Sequence, residues 1–131
     1  MGYIKGIHHV AIKVKDFDRT FALYTQVFGM APCMAWGEGD GRAAMLDCGE
    51  GACVELFAGR KENTLCEGMW MHLALKVTDV DGAYAAALKA GCTSQMEPKS
   101  IDIESRPCLT PVRIAFVKGF DGEVIEFFAT L

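Results

Sequence analysis

The chain has 131 residues, of which 51% are hydrophobic and 23% charged, and a formal net charge of −4. That length fits one domain, or two half-size modules sharing a core, and so much apolar side chain excludes disorder as the main state. No basic run is present to track a phosphate backbone or an anionic bilayer, which excludes nucleic acid and membrane as partners.

The first element, His9 to Val14, alternates apolar and polar residues with period two, the pattern of a strand covered on one face. The period then changes. Asp16 caps a segment in which Phe17, Phe21, Tyr24 and Phe28 recur at helical spacing, and Gly29 stands just past its end. Strands are expected near 31–36, 42–47 and 52–58. At this point the chain repeats itself. An offset of 63 residues lays H-V-A-I-K-V-K-D-F-D (9–18) on H-L-A-L-K-V-T-D-V-D (72–81), and one of 71 lays G-A-C-V-E-L-F-A (51–58) on G-E-V-I-E-F-F-A (122–129). The second helix runs from the Asp79 cap through Val80, Ala83, Tyr84, Ala87 and Leu88 to Gly91, with strands expected near 92–96, 111–117 and 123–129. The stretch Glu97–Pro111 holds three of the four prolines and reads as a long loop beside the site. The expected fold is α+β: a single domain over 1–131 made of tandem βαβββ modules, 1–61 and 62–131.

No segment reaches the roughly 18 apolar residues of a bilayer span, and the opening MGYIKGIHHV lacks a signal peptide's apolar core, so a cytoplasmic location is expected. The six cysteines form no C-x-x-C pair and read as reduced, structural thiols.

Alternation along the first strand of each module puts Val10, Ile12 and Val14, and likewise Leu73, Leu75 and Val77, toward the helices. His9 and His72 then belong to the opposite sheet face. Glu55 and Glu126 join them if Val54, Leu56, Ile125 and Phe127 pack inward. One such Glu is ordinarily a solvated residue on the wet face of a sheet, and one such His a hydrogen-bonded structural residue. Four at duplicated positions are different, because two carboxylates brought together lose hydration and repel unless a cation neutralises them. Two imidazoles and two carboxylates suit one divalent ion per site: Zn, Ni, Co or Mn, or Fe(II). Lys13 and Lys76 lie on the same face and are placed to hold an anionic substrate, with Cys53 and Phe57 flanking Glu55. His8 is expected to point to the other face as a strand-end or buried histidine. Asp16, Asp18, Asp79 and Asp81 read as helix caps and first-turn acids.

The segments I-H-H-V-A-I-K-V-K-D-F-D, F-A-L-Y-T-Q-V-F-G-M, M-H-L-A-L-K-V-T-D-V-D and F-V-K-G-F-D-G-E-V-I-E-F-F together resemble the vicinal-oxygen-chelate superfamily, over the whole chain. Its members include glyoxalase I, methylmalonyl-CoA epimerase, extradiol dioxygenases and fosfomycin- and bleomycin-resistance proteins. The resemblance implies a curved, partly closed mixed sheet with metal ligands on the first and last strands of each half, here His9, Glu55, His72 and Glu126. A His, Glu, His, Glu set is most similar to glyoxalase I. It implies a metal-dependent lyase or isomerase, similar to lactoylglutathione lyase, that moves a proton next to a carbonyl through a metal-bound enediolate. Glu126 is then the main base and Glu55 the second proton carrier. Lys13 stands where the glutathione-dependent enzyme carries Arg, so the resemblance does not extend to glutathione, and Arg106 is a candidate for binding an acid group.

The implied partner is a small molecule with two adjacent oxygens, and a homodimer is expected because two open sheets must pair edges, within or between chains. Three alternatives stay open. They are epimerisation of a CoA thioester, ring-cleaving dioxygenation with Fe(II), and sequestration of a ligand by a resistance protein in a cleft lined by Trp36, Phe57, Trp70 and Phe128.

Overall fold

The computed structural model describes residues 7–61, 72–105 and 107–131. Its elements follow the order β1 (His9–Lys13), α1 (Phe17–Ala22), β2 (Ala31–Trp36), β3 (Ala43–Asp47), β4 (Cys53–Phe57), β5 (Leu73–Lys76), α2 (Val80–Lys89), β6 (Thr93–Ile103), β7 (Thr110–Lys118) and β8 (Val124–Thr130). This is βαβββ twice over, as the repeat predicts. The chain divides into two compact units, Met1–Leu65 and Cys66–Leu131.

Among the described residues each unit has one four-stranded mixed sheet, in the order β1-β4-β3-β2 or β5-β8-β7-β6. In each, the first strand pairs in parallel with the last, and the other pairs are antiparallel. The first unit's core gathers Val14, Phe17, Leu23, Tyr24, Leu46, Val54 and Leu56; the second's gathers Val80, Ala87, Val112, Ala115, Val117, Ile125 and Phe127. Val54, Leu56, Ile125 and Phe127 therefore pack inward as alternation requires, and the residues between them take the other face.

Both helices begin where the sequence places a cap. The Arg19 N–H donates to Asp16 Oδ1 at 3.1 Å, and the Gly82 N–H to Asp79 Oδ1 at 2.9 Å. Asp79→Ala should lower the melting temperature by about 3–5 °C, the scale of a lost N-cap, whereas Asp79→Asn should hold it within about 1 °C. Thermal unfolding followed by circular dichroism checks this.

The first-turn acids take part in a second duplicated device. Arg42 Nη1 bonds Asp18 Oδ1 at 2.9 Å, with its guanidinium 4.3 Å from the centre of the Phe17 ring. In the other module Arg113 on β7 grips both oxygens of Asp81, through Nε at 2.5 Å and Nη2 at 2.6 Å, and so ties α2 to its sheet. Hydrogen bonding from Arg113 holds the Asp81 carboxyl below the usual range for an aspartate.

Two local expectations are corrected. Glu97–Pro111 is not a long loop, because β6 runs to Ile103 and β7 starts at Thr110. Pro98 is accommodated because β6 is the edge strand of its sheet and its register shifts between Met96 and Lys99, so no ladder bond is needed from that residue. The first helix is not regular to its end either. Leu23–Val27 form a π-helical turn closed by the Phe28 N–H on the Leu23 carbonyl at 3.1 Å. The cap-to-glycine distance explains the turn. Asp16 and Asp79 align at an offset of 63, but Gly29 and Gly91 at 62, so the first helix carries one extra residue, which the wider turn absorbs.

Candidate functional site

Each sheet carries one imidazole beside one carboxylate. In the first module β1 and β4 lie parallel with Ala11 opposite Glu55 and His9 opposite Cys53. His9 is thus the diagonal neighbour of Glu55, and the small Ala11 leaves room for its ring to lean across. His9 Nε2 lies 3.6 Å from Glu55 Oε1. The second module repeats the arrangement with Ala74 opposite Glu126, and His72 Nε2 lies 3.2 Å from Glu126 Oε1.

The burial of the two pairs matches as well. The carboxylate side chains are only 11% and 10% exposed, whereas the imidazoles are 39% and 37% exposed. The acids sit on central strands; His9 opens the edge strand β1, and His72 stands one residue before the edge strand β5. Burial pushes the Glu126 carboxyl above the ordinary glutamate range, and His72 pulls against that shift without cancelling it.

The remaining candidates fall into the same duplicated frame. Lys13 is exposed and paired in register with Phe57; Lys76 is exposed and paired in register with Phe128. His9, Lys13, Glu55 and Phe57 therefore share one face of the first sheet, and Lys76, Glu126 and Phe128 one face of the second, where His72, one residue before β5, joins them by its 3.2 Å approach to Glu126. Trp36 meets Phe57 edge-on, ring centres 6.3 Å apart. Arg106 and Trp70 lie outside the described residues.

Three features go beyond the sequence reading: a ring against His72, the shifted thiol of Cys53 and the direction of His8. Phe116, in register with Glu126, puts its ring edge-on to His72 at 5.4 Å. The matching position in the first module, by the 71-residue offset, is the buried Met45 opposite Glu55. Extending that offset back along the strand was the available signal. Cys53, on the ligand face beside His9, has its thiol pushed up by burial and by the neighbouring Cys33 sulfur. His8 is neither buried nor turned away: its ring is exposed and stands edge-on to His9 at 5.1 Å. It precedes β1, so strand alternation does not govern its direction.

Two donors each about 2.1 Å from a divalent ion, at 90–109° to one another, are about 3.0–3.4 Å apart; the His72–Glu126 separation of 3.2 Å lies in that range and the His9–Glu55 separation of 3.6 Å just outside it. Among the described residues no group of three or more His, Cys, Asp and Glu side chains converges, so each module by itself offers one pair.

Residues 6–127 match the profile of the Glyoxalase/Bleomycin resistance protein/Dioxygenase superfamily. The chain belongs to that superfamily. It is 31% identical over 128 residues to the uncharacterized protein YwbC of Bacillus subtilis (strain 168), covering 95% of this chain and 97% of that one. The superfamily fold is shared with TnmS3, an antibiotic binding protein from Streptomyces sp. CB03234, at a TM-score of 0.69 and 21% identity over the full length of both chains. It is shared too with FosX, a genomically encoded fosfomycin resistance protein from Listeria monocytogenes, at a TM-score of 0.68 and 18% identity, covering 96% of this chain and 93% of that one. Superfamily membership thus spans catalysts and binders, and the choice between them falls to the side chains. No described helix is long and apolar enough to cross a membrane.

Proposed function

We propose that the protein is a metal-dependent lyase or isomerase of the glyoxalase I type, acting on a small molecule with two adjacent oxygens. The observation that carries this reading is the duplicated His–Glu pair, with each carboxylate about nine-tenths buried beside an imidazole. A protein that only sequesters a ligand has no use for two desolvated carboxylates, which cost stability unless a cation or a proton neutralises them.

His9, Glu55, His72 and Glu126 would hold the ion, each module giving one nitrogen and one oxygen donor, in one chain or across a homodimer. The bound ion supplies Lewis-acid stabilisation of negative charge on the substrate oxygens. The chain's own groups do the rest. Glu126 removes the proton from the carbon beside the carbonyl, and its raised affinity for protons makes it a stronger base than an ordinary carboxylate. Protonated Glu126 returns that proton to the neighbouring carbon, while Glu55, the second proton carrier, passes the substrate's hydroxyl proton to the former carbonyl oxygen, so both carboxylates end as they began and the reaction is a rearrangement with no net loss of atoms or electrons. Lys13 and Lys76 attract an anionic substituent, and Phe57 and Phe128 cover the apolar part of the substrate. The single 131-residue chain acts as one domain of two modules, 1–61 and 62–131.

Protein purified without a metal-affinity step should contain close to one equivalent of Zn, Ni, Co or Mn per four-ligand set by elemental analysis. Glu55→Gln should weaken retention against a competing chelator, and His9→Ala should weaken it further. Affinity should also fall below about pH 6, because free imidazole takes up protons near 6.5 and protons compete with metal for the same nitrogens. Full occupancy in both variants would remove these residues from the ligand set.

A further inference from the structure

The two modules seat their helices differently. In the second, α2 packs on β6, β7 and β8, and the Tyr84 hydroxyl donates to Ser94 Oγ on the outermost strand at 2.7 Å. In the first, α1 packs chiefly on β4. A cleft of about 300 Å³ stays open between α1 and the outer hairpin β2–β3. It lies on the helix side of its sheet, because Ala44 stands in register with the inward-packed Leu56, whereas Glu55 takes the other face.

Phe17, Phe21 and Trp36 give the cleft an aromatic lining, with the two phenylalanine rings stacked at 6.0 Å, and Ala35 and Ala44 are too small to fill it. Arg42 is the cation of that lining. The 71-residue offset sets Arg42 against Arg113, and the two spend their donors unequally. Arg113 uses Nε and Nη2 on Asp81 and Nη1 on Ser100. The Arg42 side chain, among the described residues, donates to Asp18 alone, through Nη1. Its Nε and Nη2 are unspent, and they form the same edge by which Arg113 holds a carboxylate with two hydrogen bonds. Packing of the guanidinium on the Phe17 ring restricts that fork before any ligand arrives, so less freedom is lost on binding.

We propose that this cleft is a second binding site, for a small aromatic carboxylate: the ring enters between α1 and the β2–β3 hairpin, and the carboxylate accepts from Nε and Nη2 of Arg42. A volume of about 300 Å³ is at the small end of ligand sites, which suits a single ring. Asp18 opposes the anion only weakly, because its side chain is 82% exposed and water screens its charge. Neither the His–Glu pairs nor a metal enters the argument, so the site stands independently of the function proposed above.

The test titrates the full chain with benzoate, and with benzamide as its neutral match in shape, while backbone amide signals are followed by NMR. Benzoate should shift the signals of Phe21, Ala35 and Ala44 and saturate with a Kd on the order of 1 mM, the scale of so small a ligand. Benzamide should bind about tenfold more weakly, the scale of hydrogen bonds to a charged group. Arg42→Gln should weaken benzoate by about the same factor and leave benzamide unchanged. Ala35→Leu fills the cleft from an exposed edge strand and should abolish the binding of both. Equal affinity for benzoate and benzamide in wild type, benzoate binding unchanged in either variant, or saturating shifts confined to the His–Glu face would overturn the proposal.

Discussion

Glu126→Gln should lose roughly 10²-fold or more in turnover, the scale of a positioned acid–base group. Turnover here is proton exchange at the carbon beside the carbonyl of a small α-hydroxycarbonyl substrate, followed by NMR in D2O with the protein replete in metal. The amide is nearly the shape of the acid and still offers an oxygen donor, but it cannot accept the substrate's proton. The same substitution should make the metal-free protein more stable at neutral pH, with a melting temperature up by roughly 2–4 °C. Burial lifts the folded carboxyl above its unfolded value, so the folded chain keeps this proton to higher pH than the unfolded chain does. As pH rises through that window, wild type loses stability as a buried charge appears; the variant does not. Near-normal exchange in metal-replete Glu126→Gln would move the role to Glu55 or reject proton transfer.

The largest effect on stability should come one residue further on. Phe127 is 1% exposed and packs on the helix side of β8, whereas Glu126 and Phe128 bracket it on the other face. Phe127→Ala should cost about 3–5 kcal/mol, a large share of the about 5–15 kcal/mol available to a domain. Phe128→Ala, on the half-exposed ligand face, should cost less than half as much and should instead weaken substrate binding. Urea unfolding of both variants checks the pair. Equal losses would mean that the alternation of β8 has been assigned to the wrong faces.

The repeat made much of this molecule readable. Once residues 9–18 lie on 72–81, the strand, the cap and the face of each histidine follow twice from the same physical rule, and the two copies check one another. Both His–Glu pairs are found from alternation together with the parallel pairing of each module's first and last strands. What escaped was whatever depends on edges and counting. Pro98 reads as a strand breaker until β6 is known to lie at an edge, where its missing N–H needs no partner. The π-helical turn leaves its trace in one slipped residue between Gly29 and Gly91, a signal that periodicity over a short helix blurs. His8 was misplaced because alternation was extended one residue beyond the strand that justifies it. Phe116 lay on a strand whose same face held, of titratable groups, only Lys118 at its end.

The grip of Arg42 on Asp18 and of Arg113 on Asp81 bears on how such a chain can diversify. Between the helix start and the last strand the offset of the two copies grows from 63 to 71 residues, and the added length enters around β6, which has 11 residues against the 6 of β2. Both strands are outermost in their sheets, and neither carries a His or Glu of the site. The arginine clamps span this region, from the first turn of the helix to the sheet, and are present in both the short and the long version. Extra chain can therefore be spliced into the outermost hairpin of one module while the helix stays seated and the His–Glu pair keeps its spacing. That hairpin is the natural place for inserting or exchanging segments when a new ligand preference is sought, and the inner strands are the place to leave alone.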